Sequence, residues 1–259
     1  MRINVVSDVH GAVAELARSG DGVDAVICLG DLILFLDYAD PSRGIFGELF
    51  GEQGAAEYVR LRTARRFEEA GAYSRRLWAE VCANTGLDRH ELMMSKVREQ
   101  YAALFAALPT PSYLTYGNVD VPAFWPDYLR PGQQVLDGQT VEIDGLRFGF
   151  VGGGLISPMR TPYERTEADF DALIDALGEV DVLCSHIPPQ VPSLTYDVVA
   201  RRFEVGSARL LEYIHDVQPL AALFGHVHQP AASRIRIGRT ECQNVGHFRA
   251  GGAPFTLQW

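Results

Sequence analysis

Residues 220–228 read LAALFGHVH: an apolar run from Leu220 to Phe224 is followed by Gly225 and then by two histidines, His226 and His228. A short apolar run of this kind is typical of a buried strand. Because side chains alternate along an extended segment, the two imidazoles lie on the same side of it. The stretch therefore predicts a strand that delivers two metal-binding side chains at its carboxyl end.

Four further apolar runs share this plan, and each ends in polar residues: Ile3–Val6 before Asp8 and His10, Ala25–Leu29 before Asp31, Tyr113–Tyr116 before Asn118, and Val180–Cys184 before His186. Helical stretches at 12–18, 167–177 and 207–216 lie between runs, and this alternation favours an α/β fold. Hairpin patterns around Asp144-Gly145 and Gly238-Arg239 add antiparallel strands. We therefore expect mixed sheets, two of which face each other.

The polar side chains that follow these five runs are expected to meet, because ligands of α/β sheets bind at the carboxyl ends of strands. Two carboxylates, one amide and four imidazoles form a set that suits Mn²⁺, Fe²⁺, Zn²⁺ or Ni²⁺. Seven ligands are too many for one ion with an open position, and they suit two ions that share a carboxylate. The predicted metal ligands are Asp8, His10, Asp31, Asn118, His186, His226 and His228. The glycine before Asp31, Asn118 and His226 is expected to let the backbone turn tightly.

Residues 37–110 have helical periodicity and almost no strand pattern. We predict helices at 55–70 and 73–83, and a third that begins at Asp88, where Asp88 and Glu91 form a cap pair, and ends before Pro109. We interpret this stretch as a helical insertion within a single domain that spans residues 1–259. The insertion is expected to form a cap over the metals or the surface of a homodimer, and the sequence does not choose between these roles.

Composition excludes several classes of protein. The chain is 47% hydrophobic and 22% charged, as expected of a globular protein, and its net charge of −10 disfavours a long nucleic acid as partner. No apolar stretch is long enough for a membrane helix, and the first ten residues are too polar for a signal peptide. Four scattered cysteines without a Cys-x-x-Cys pair favour reduced thiols. We therefore expect a cytoplasmic protein.

Five ordered motifs resemble those of the calcineurin-like metallophosphoesterases, and the similarity spans nearly the whole chain apart from the insertion. The motifs are Asp8-Val9-His10, Gly30-Asp31, Gly117-Asn118-Val119-Asp120, Ser185-His186 and Gly225-His226-Val227-His228. The resemblance implies a four-layer α/β/β/α sandwich of two mixed sheets and a centre with two divalent metal ions, of which Mn²⁺ is favoured. It also implies a metal-dependent phosphoric ester hydrolase.

The resemblance further implies a role for each motif residue. By similarity, the first ion is held by Asp8, His10 and His228. The second ion is held by Asn118, His186 and His226, and Asp31 bridges the two. Asp120 would orient its neighbours. The residues expected to act in catalysis are Asp31, Asn118, Asp120 and His226.

Two positions depart from the family pattern. Val119 stands where many members have a histidine that is thought to protonate the leaving group, and valine cannot transfer a proton. Because general acid help contributes about 10²- to 10⁴-fold, poor leaving groups should react slowly. The second departure is His247, in a segment where related chains often read Asn-Pro-Gly-Ser. His247 is either an ordinary surface or core histidine or a substitute proton donor.

A charge count bears on the substrate. Two divalent ions carry four positive charges, Asp8 and Asp31 remove two, and a hydroxide formed from a shared water removes one, which leaves about plus one. A monoanionic diester balances this charge. With Val119, this favours a phosphodiesterase that acts on small nucleotide-like or other organic diesters by attack of metal-bound hydroxide. A phosphomonoesterase and a non-catalytic binding module are the alternatives. Asn118, Arg160 and Tyr163 are expected to contact the substrate.

Overall fold

The computed structural model describes residues 1–259 and divides into two compact units. The first unit comprises Met1–Leu32 and Leu104–Trp259, and the second comprises Ile33–Ala103. The strands are β1 (Arg2–Val6), β2 (Ala25–Cys28), β3 (Ser112–Leu114), β4 (Gln133–Val135), β5 (Gln139–Ile143), β6 (Leu146–Val151), β7 (Gly154–Leu155), β8 (Glu164–Arg165), β9 (Val182–Ser185), β10 (Tyr196–Asp197), β11 (Arg202–Phe203), β12 (Ala221–Phe224), β13 (Arg234–Ile237), β14 (Thr240–Asn244) and β15 (Phe255–Gln258).

The helices are α1 (Val13–Arg18), α2 (Gly44–Thr63), α3 (Phe67–Thr85), α4 (Arg89–Ala107), α5 (Glu167–Ala176), α6 (Pro192–Thr195), α7 (Ala208–Val217) and α8 (Phe248–Gly251). A 3₁₀ helix spans Pro122–Asp127. No helix combines the length and the apolar character that crossing a bilayer requires.

Two large mixed sheets form the first unit, as the sequence predicts. The first has the order β15-β1-β2-β3-β4, in which only β15 runs antiparallel to its neighbour. The second has the order β13-β14-β12-β9-β6-β5, with a parallel centre and an antiparallel strand at each edge. Parallel central strands place their carboxyl ends at one edge of each sheet, where polar side chains collect.

The two sheets face each other across an apolar core. Ile3 and Ile27 of the first sheet share this core with Phe148, Cys184 and Leu223 of the second. Because the inward side chains of both sheets are apolar and buried, transfer of this surface out of water holds the sheets together.

Helices cover the outer faces of both sheets. On the second sheet, Phe170 of α5 and Ile214 of α7 are fully buried in one cluster with Phe224 of β12. On the first sheet, the Asn4 side-chain amide donates to the Ser19 carbonyl just beyond α1, at 2.8 Å. The order helix, sheet, sheet, helix confirms the four-layer α/β/β/α prediction.

The second unit is helical, but its helix bounds differ from the prediction. The predicted helix at 55–70 is wrong, because α2 covers Gly44–Thr63 and α3 already begins at Phe67. Arg65 takes a left-handed φ of 59° at this break, where no glycine or proline marks the sequence. The cap pair is confirmed: the Asp88 N–H donates to Glu91 Oε2 and the Glu91 N–H to Asp88 Oδ1, both at 2.9 Å. A cap or homodimer role for this unit stays a prediction.

Candidate metal centre

The seven predicted ligands all follow strands of the two large sheets at their carboxyl ends. Asp8 and His10 follow β1, Asp31 follows β2 and Asn118 follows β3 in the first sheet. His186 follows β9, and His226 with His228 follows β12 in the second sheet. The structure therefore brings together side chains that are up to 220 residues apart in the chain, since 228 minus 8 is 220.

One group of side chains forms around Asp8. Its Oδ1 lies 3.3 Å from His228 Nε2 and 3.9 Å from His10 Nε2. The two Nε2 atoms of His10 and His228 lie 3.4 Å apart, and Asp31 Oδ2 lies 3.9 Å from His10 Nε2. Oxygen and nitrogen ligand atoms thus converge on one small volume.

A second group forms around Asn118. Its Oδ1 lies 2.9 Å from both His186 Nε2 and His226 Nδ1, and Asp31 Oδ2 lies 3.4 Å from His186 Nε2. Asp31 Oδ2 therefore reaches a histidine in each group, His186 here and His10 in the first. Such a shared carboxylate is what two neighbouring ions require.

The backbone of the centre is strained at its ligands. Asp8, His10, Asp31 and His226 have φ values of 57°, 41°, 55° and 66°. A non-glycine residue in this left-handed region costs about 1–3 kcal/mol and persists only where its surroundings over-determine it. Here the His10 N–H donates to the Asp31 carbonyl at 2.9 Å, and the His226 N–H donates to Asp8 Oδ2 at 2.9 Å. The loops hold one another in place.

The glycines of the motifs serve close approach more than tight turns. Gly30 alone has a positive φ, 93°, and a Cβ there would lie 1.9 Å from the Gly117 nitrogen. A Cβ on Gly117 would lie 2.0 Å from Asp31 Oδ1, and one on Gly225 would lie 2.0 Å from Ser7 Oγ. At two of the three positions, Gly117 and Gly225, glycine is therefore needed because a side chain would clash, and not because the backbone turns tightly there.

Asp120 holds the backbone that carries the Asp31 carboxylate. Its Oδ2 accepts the N–H groups of Asp31 and Gly117 at 2.9 and 2.8 Å, and its Oδ1 accepts the Leu32 N–H at 3.0 Å. Burial, followed by the charge of Asp31, raises the pKa of Asp120 to about 7. Asp120 fixes Asp31 through the main chain, as the orienting role requires.

The donor set fits divalent ions. His186 Nδ1 faces the Leu29 carbonyl at 2.9 Å, while its Nε2 faces the oxygens of Asp31 and Asn118. Although burial alone would lower the pKa of His186, the Asp31 charge raises it to about 9, so a proton on Nε2 supplies the positive charge these oxygens need. A metal ion would supply the same charge. The buried Asp8 Oδ1 atom makes no hydrogen bond, as expected of a ligand atom.

Comparison with known proteins names the family. A family model described as calcineurin-like phosphoesterase matches residues 1–230. The chain belongs to this family. Membership of a phosphoesterase family implies a centre of two divalent ions. No curated protein sequence matches the chain.

Solved structures also resemble this phosphoesterase. A candidate 5'-nucleotidase from Staphylococcus aureus, in complex with alpha-ketoglutarate, is 15% identical with a TM-score of 0.45, and the match covers 95% of this chain but 48% of that one. The chain thus spans about half the length of that protein. A protein of unknown function from Aquifex aeolicus is 14% identical (TM-score 0.41; 98% and 95% covered). GAP50, the anchor in the inner membrane complex of Plasmodium, is 10% identical (TM-score 0.39; 95% and 71% covered).

Two of the three predicted substrate residues, Arg160 and Tyr163, lie in the loop after β7, whereas Asn118 follows β3. Arg160 is exposed, with a left-handed φ of 50°. The Tyr163 hydroxyl donates to Asp137 Oδ2 at 3.0 Å, and its main-chain N–H donates to the Asn118 carbonyl at 2.9 Å. Tyr163 therefore supports Asn118 through the backbone. Direct contact of either residue with substrate stays a prediction.

Three residues of the phosphoesterase that support the centre escaped sequence reasoning. Thr161 Oγ1 accepts the Asn118 side-chain amide at 2.9 Å, and Arg249 donates to the His10 carbonyl at 2.8 Å. Asn244 donates to the Val227 carbonyl at 3.0 Å. Only Asn244 carried a sequence signal, since it ends a strand. His247 stacks on the His228 ring at 3.8 Å with planes 15° apart.

Proposed function

We propose that this phosphoesterase hydrolyses small monoanionic phosphodiesters, nucleotide-like or other organic, with two divalent ions. The observation that carries the proposal is the position of Asp31, whose Oδ2 lies 3.9 Å from His10 Nε2 and 3.4 Å from His186 Nε2. One carboxylate oxygen thus lies between two groups of nitrogen and oxygen ligands. This arrangement supports a dinuclear centre over a single ion.

Each ion would have its own set of side chains. Asp8, His10 and His228 would hold one ion and Asn118, His186 and His226 the other, with Asp31 shared. The mixed oxygen and nitrogen set suits Mn²⁺, Fe²⁺, Zn²⁺ or Ni²⁺, and Mn²⁺ is our first candidate. When bound, two such ions supply Lewis acidity toward a phosphoryl oxygen and lower the pKa of a water to near neutral.

The side chains of the chain itself prepare this chemistry. The Asp120 carboxylate fixes the Asp31 backbone because it accepts hydrogen bonds from the N–H groups of Asp31 and Leu32. The Leu29 carbonyl faces His186 Nδ1, which leaves Nε2 as the ligand atom. Fixed groups of this kind stabilise charge in the transition state without reorganising.

The preference for diesters rests on charge and on Val119. A centre left with about one net positive charge balances a monoanion, whereas a dianionic monoester overshoots. Val119 follows Asn118 directly and donates its N–H to Asp31 Oδ1 at 2.9 Å, yet its side chain carries no proton to give. Departure of the alcohol then depends on its own acidity, which favours esters of acidic alcohols.

Arg160 and Tyr163 are proposed to border the bound ester, together with Asn118. The exposed Arg160 guanidinium supplies a positive charge near a phosphoryl group, and Tyr163 positions Asn118 through its main-chain N–H. We further propose a reducing, cytoplasmic setting, which the four free cysteines support.

A panel of aryl, cyclic and alkyl diesters and monoesters, assayed with each of the four ions, tests the proposal. We expect kcat/KM for diesters to exceed that for monoesters by about tenfold or more, and Asp31→Asn to abolish both activities. Asp24→Asn is the matched control, because Asp24 is an exposed carboxylate that accepts the Arg2 N–H at 2.7 Å. Better monoester turnover would overturn the diester preference. Absence of metal binding would instead indicate a binding module.

A further inference from the structure

A groove of about 960 Å³ runs along the first unit beside β7 and the start of α5. Its walls include the apolar side chains Leu155, Ile156, Pro192, Phe203 and Val205. Sites that enclose organic ligands are concave and mostly apolar, with few polar groups. The shape and the walls therefore suit an organic group larger than a phosphate.

This groove continues toward the metal centre. A smaller cavity of about 30 Å³ is lined by Asn118 and His226, two of the proposed ligands, and also by Leu155, Glu204 and Val205. Those last three residues line the large groove as well. A substrate whose phosphoryl group lies at the ions thus has one continuous wall along which its remainder can extend.

Exposed apolar side chains concentrate on the two segments that border the groove. Ile156 and Met159, on the loop after β7, are 65% and 60% exposed. Phe203 of the β10–β11 hairpin is 65% exposed, and Val199 at its turn is 74% exposed. The two segments touch where Arg202 approaches Met159 Sδ at 3.8 Å. Clustered apolar exposure of this kind marks an interaction site.

Charge in the groove excludes a second anionic group. None of its lining residues is a lysine, an arginine or a histidine, whereas Glu167 and Glu204 both line it. Glu204 accepts from Arg202 Nε at 2.7 Å, so its charge is already paired, and Glu167 leaves the groove negative. A second phosphate would meet this negative charge with no cationic side chain in the lining to offset it, while an uncharged group meets no such penalty.

We propose that this groove binds the non-reacting alcohol of a phosphodiester, and that this alcohol is an uncharged alkyl or aryl group. The inference rests on the proposed diesterase function and narrows it to diesters with one hydrophobic ester group. Phe203 and Ile156 are specificity-determining residues at the rim, remote from the ions. Dinucleotides and other esters with a further phosphate are poor substrates.

Two esters with the same leaving group test this. 4-Nitrophenyl hexyl phosphate and 4-nitrophenyl methyl phosphate differ only in the non-reacting group, so the chemistry at the ions is matched. With Mn²⁺ we expect kcat/KM to favour the hexyl ester by about tenfold or more, since each buried methylene adds to binding. Equal kcat/KM values for the two esters would overturn the proposal.

Rim variants locate the effect. Phe203→Ser and Ile156→Ser should each reduce the hexyl preference by about three- to tenfold while methyl ester turnover stays unchanged. Leu220→Ser is the matched control, because Leu220 is 54% exposed but precedes β12 at its amino end, away from the groove. A hexyl preference that survives both rim variants would overturn the assignment to this groove.

A binding measurement separates this inference from the proposed function. If only monoesters are hydrolysed, the diesterase proposal fails, and the groove is judged by calorimetry of hexyl and methyl esters of methylphosphonic acid with Mn²⁺-loaded protein. Tighter binding of the hexyl ester that Phe203→Ser removes would support the groove. Equal binding of the two esters would overturn it.

Discussion

Gly117→Ala is expected to damage the shared carboxylate with a single methyl group. The new Cβ would lie 2.0 Å from Asp31 Oδ1, 2.2 Å from the Asp31 nitrogen and 2.6 Å from Asp31 Cγ. A carbon normally stands about 3.5 Å from such atoms, so Asp31 or the Gly117 loop must move by more than about 1 Å. Neither is free to do so, because Asp120 holds the N–H groups of both residues.

The cost follows from that displacement. Overpacking of this kind destabilises by about 1–3 kcal/mol, which in a chain of this size lowers the melting temperature by about 2–12 °C. A misplacement of about 1 Å at a reacting centre costs about 10²-fold, so we expect metal affinity and kcat to fall by that order. Gly71→Ala is the control, since Gly71 lies in α3 and its nearest neighbour is the flexible Arg75 guanidinium at 3.5 Å.

Calorimetric titration with Mn²⁺ and a thermal melt measure both effects on one preparation. We expect Gly71→Ala to bind two ions as the wild type does and to melt at the same or a slightly higher temperature, because alanine favours a helix over glycine. Should Gly117→Ala bind two ions with wild-type affinity and melt unchanged, the close approach between this loop and Asp31 would not be what the centre requires.

Three further predictions concern the histidines and the missing acid. Because the pKa of His186 is raised to about 9, the metal-free protein carries a proton there that a metal must displace. The contribution of His186 to the stability of the metal-free protein is complete below about pH 6.5 and is lost as pH rises through about 9. Calorimetry of metal binding in buffers of different ionisation enthalpy should detect proton release at pH 7.5 that disappears above pH 9. Val119→His should raise kcat about tenfold or more for alkyl leaving groups but not for 4-nitrophenol, and equal effects on both would contradict an acid role. His247→Ala should weaken binding of the ion at His228 about tenfold while His247→Phe retains it, because His247 stacks on that ring; loss of turnover in His247→Phe with metal binding intact would instead identify a proton donor.

Much of the centre was predictable, because a buried strand requires a run of apolar residues and the metal-binding residues follow directly after such runs. Asp8, Asn118 and His226 follow such runs at short intervals, and the carboxyl-end rule then brings them together. The apolar runs and the helical stretches between them predict an α/β fold, while the four layers follow from the family resemblance. Strand ends shifted by one or two residues, as at β9, which covers Val182–Ser185 where Val180–Cys184 was predicted.

Other features left no mark in the sequence. The groove lies between a loop and a hairpin whose strands, β10 and β11, are two residues long, too short for any alternating pattern to show. Arg65 lies between α2 and α3 in a left-handed conformation, which arginine rarely adopts. The partnership of Asn118 with Thr161 joins residues 43 apart and depends on a loop fold that only tertiary contacts decide.

The left-handed backbone at the ligands and the buried charges of the centre both cost free energy of folding. Asp8 and Asp31 are almost fully buried. The histidines around them differ in charge, because burial lowers the pKa of His226 to about 4 while the Asp31 charge raises the pKa of His186 to about 9. Without a cation, strain at four ligands and crowded nitrogens oppose folding, and the fixed N–H groups and the charged His186 offset this cost. Ions that bind only the folded chain shift this balance in proportion to their affinity, so the centre gains its stability from the same ions that give it chemistry.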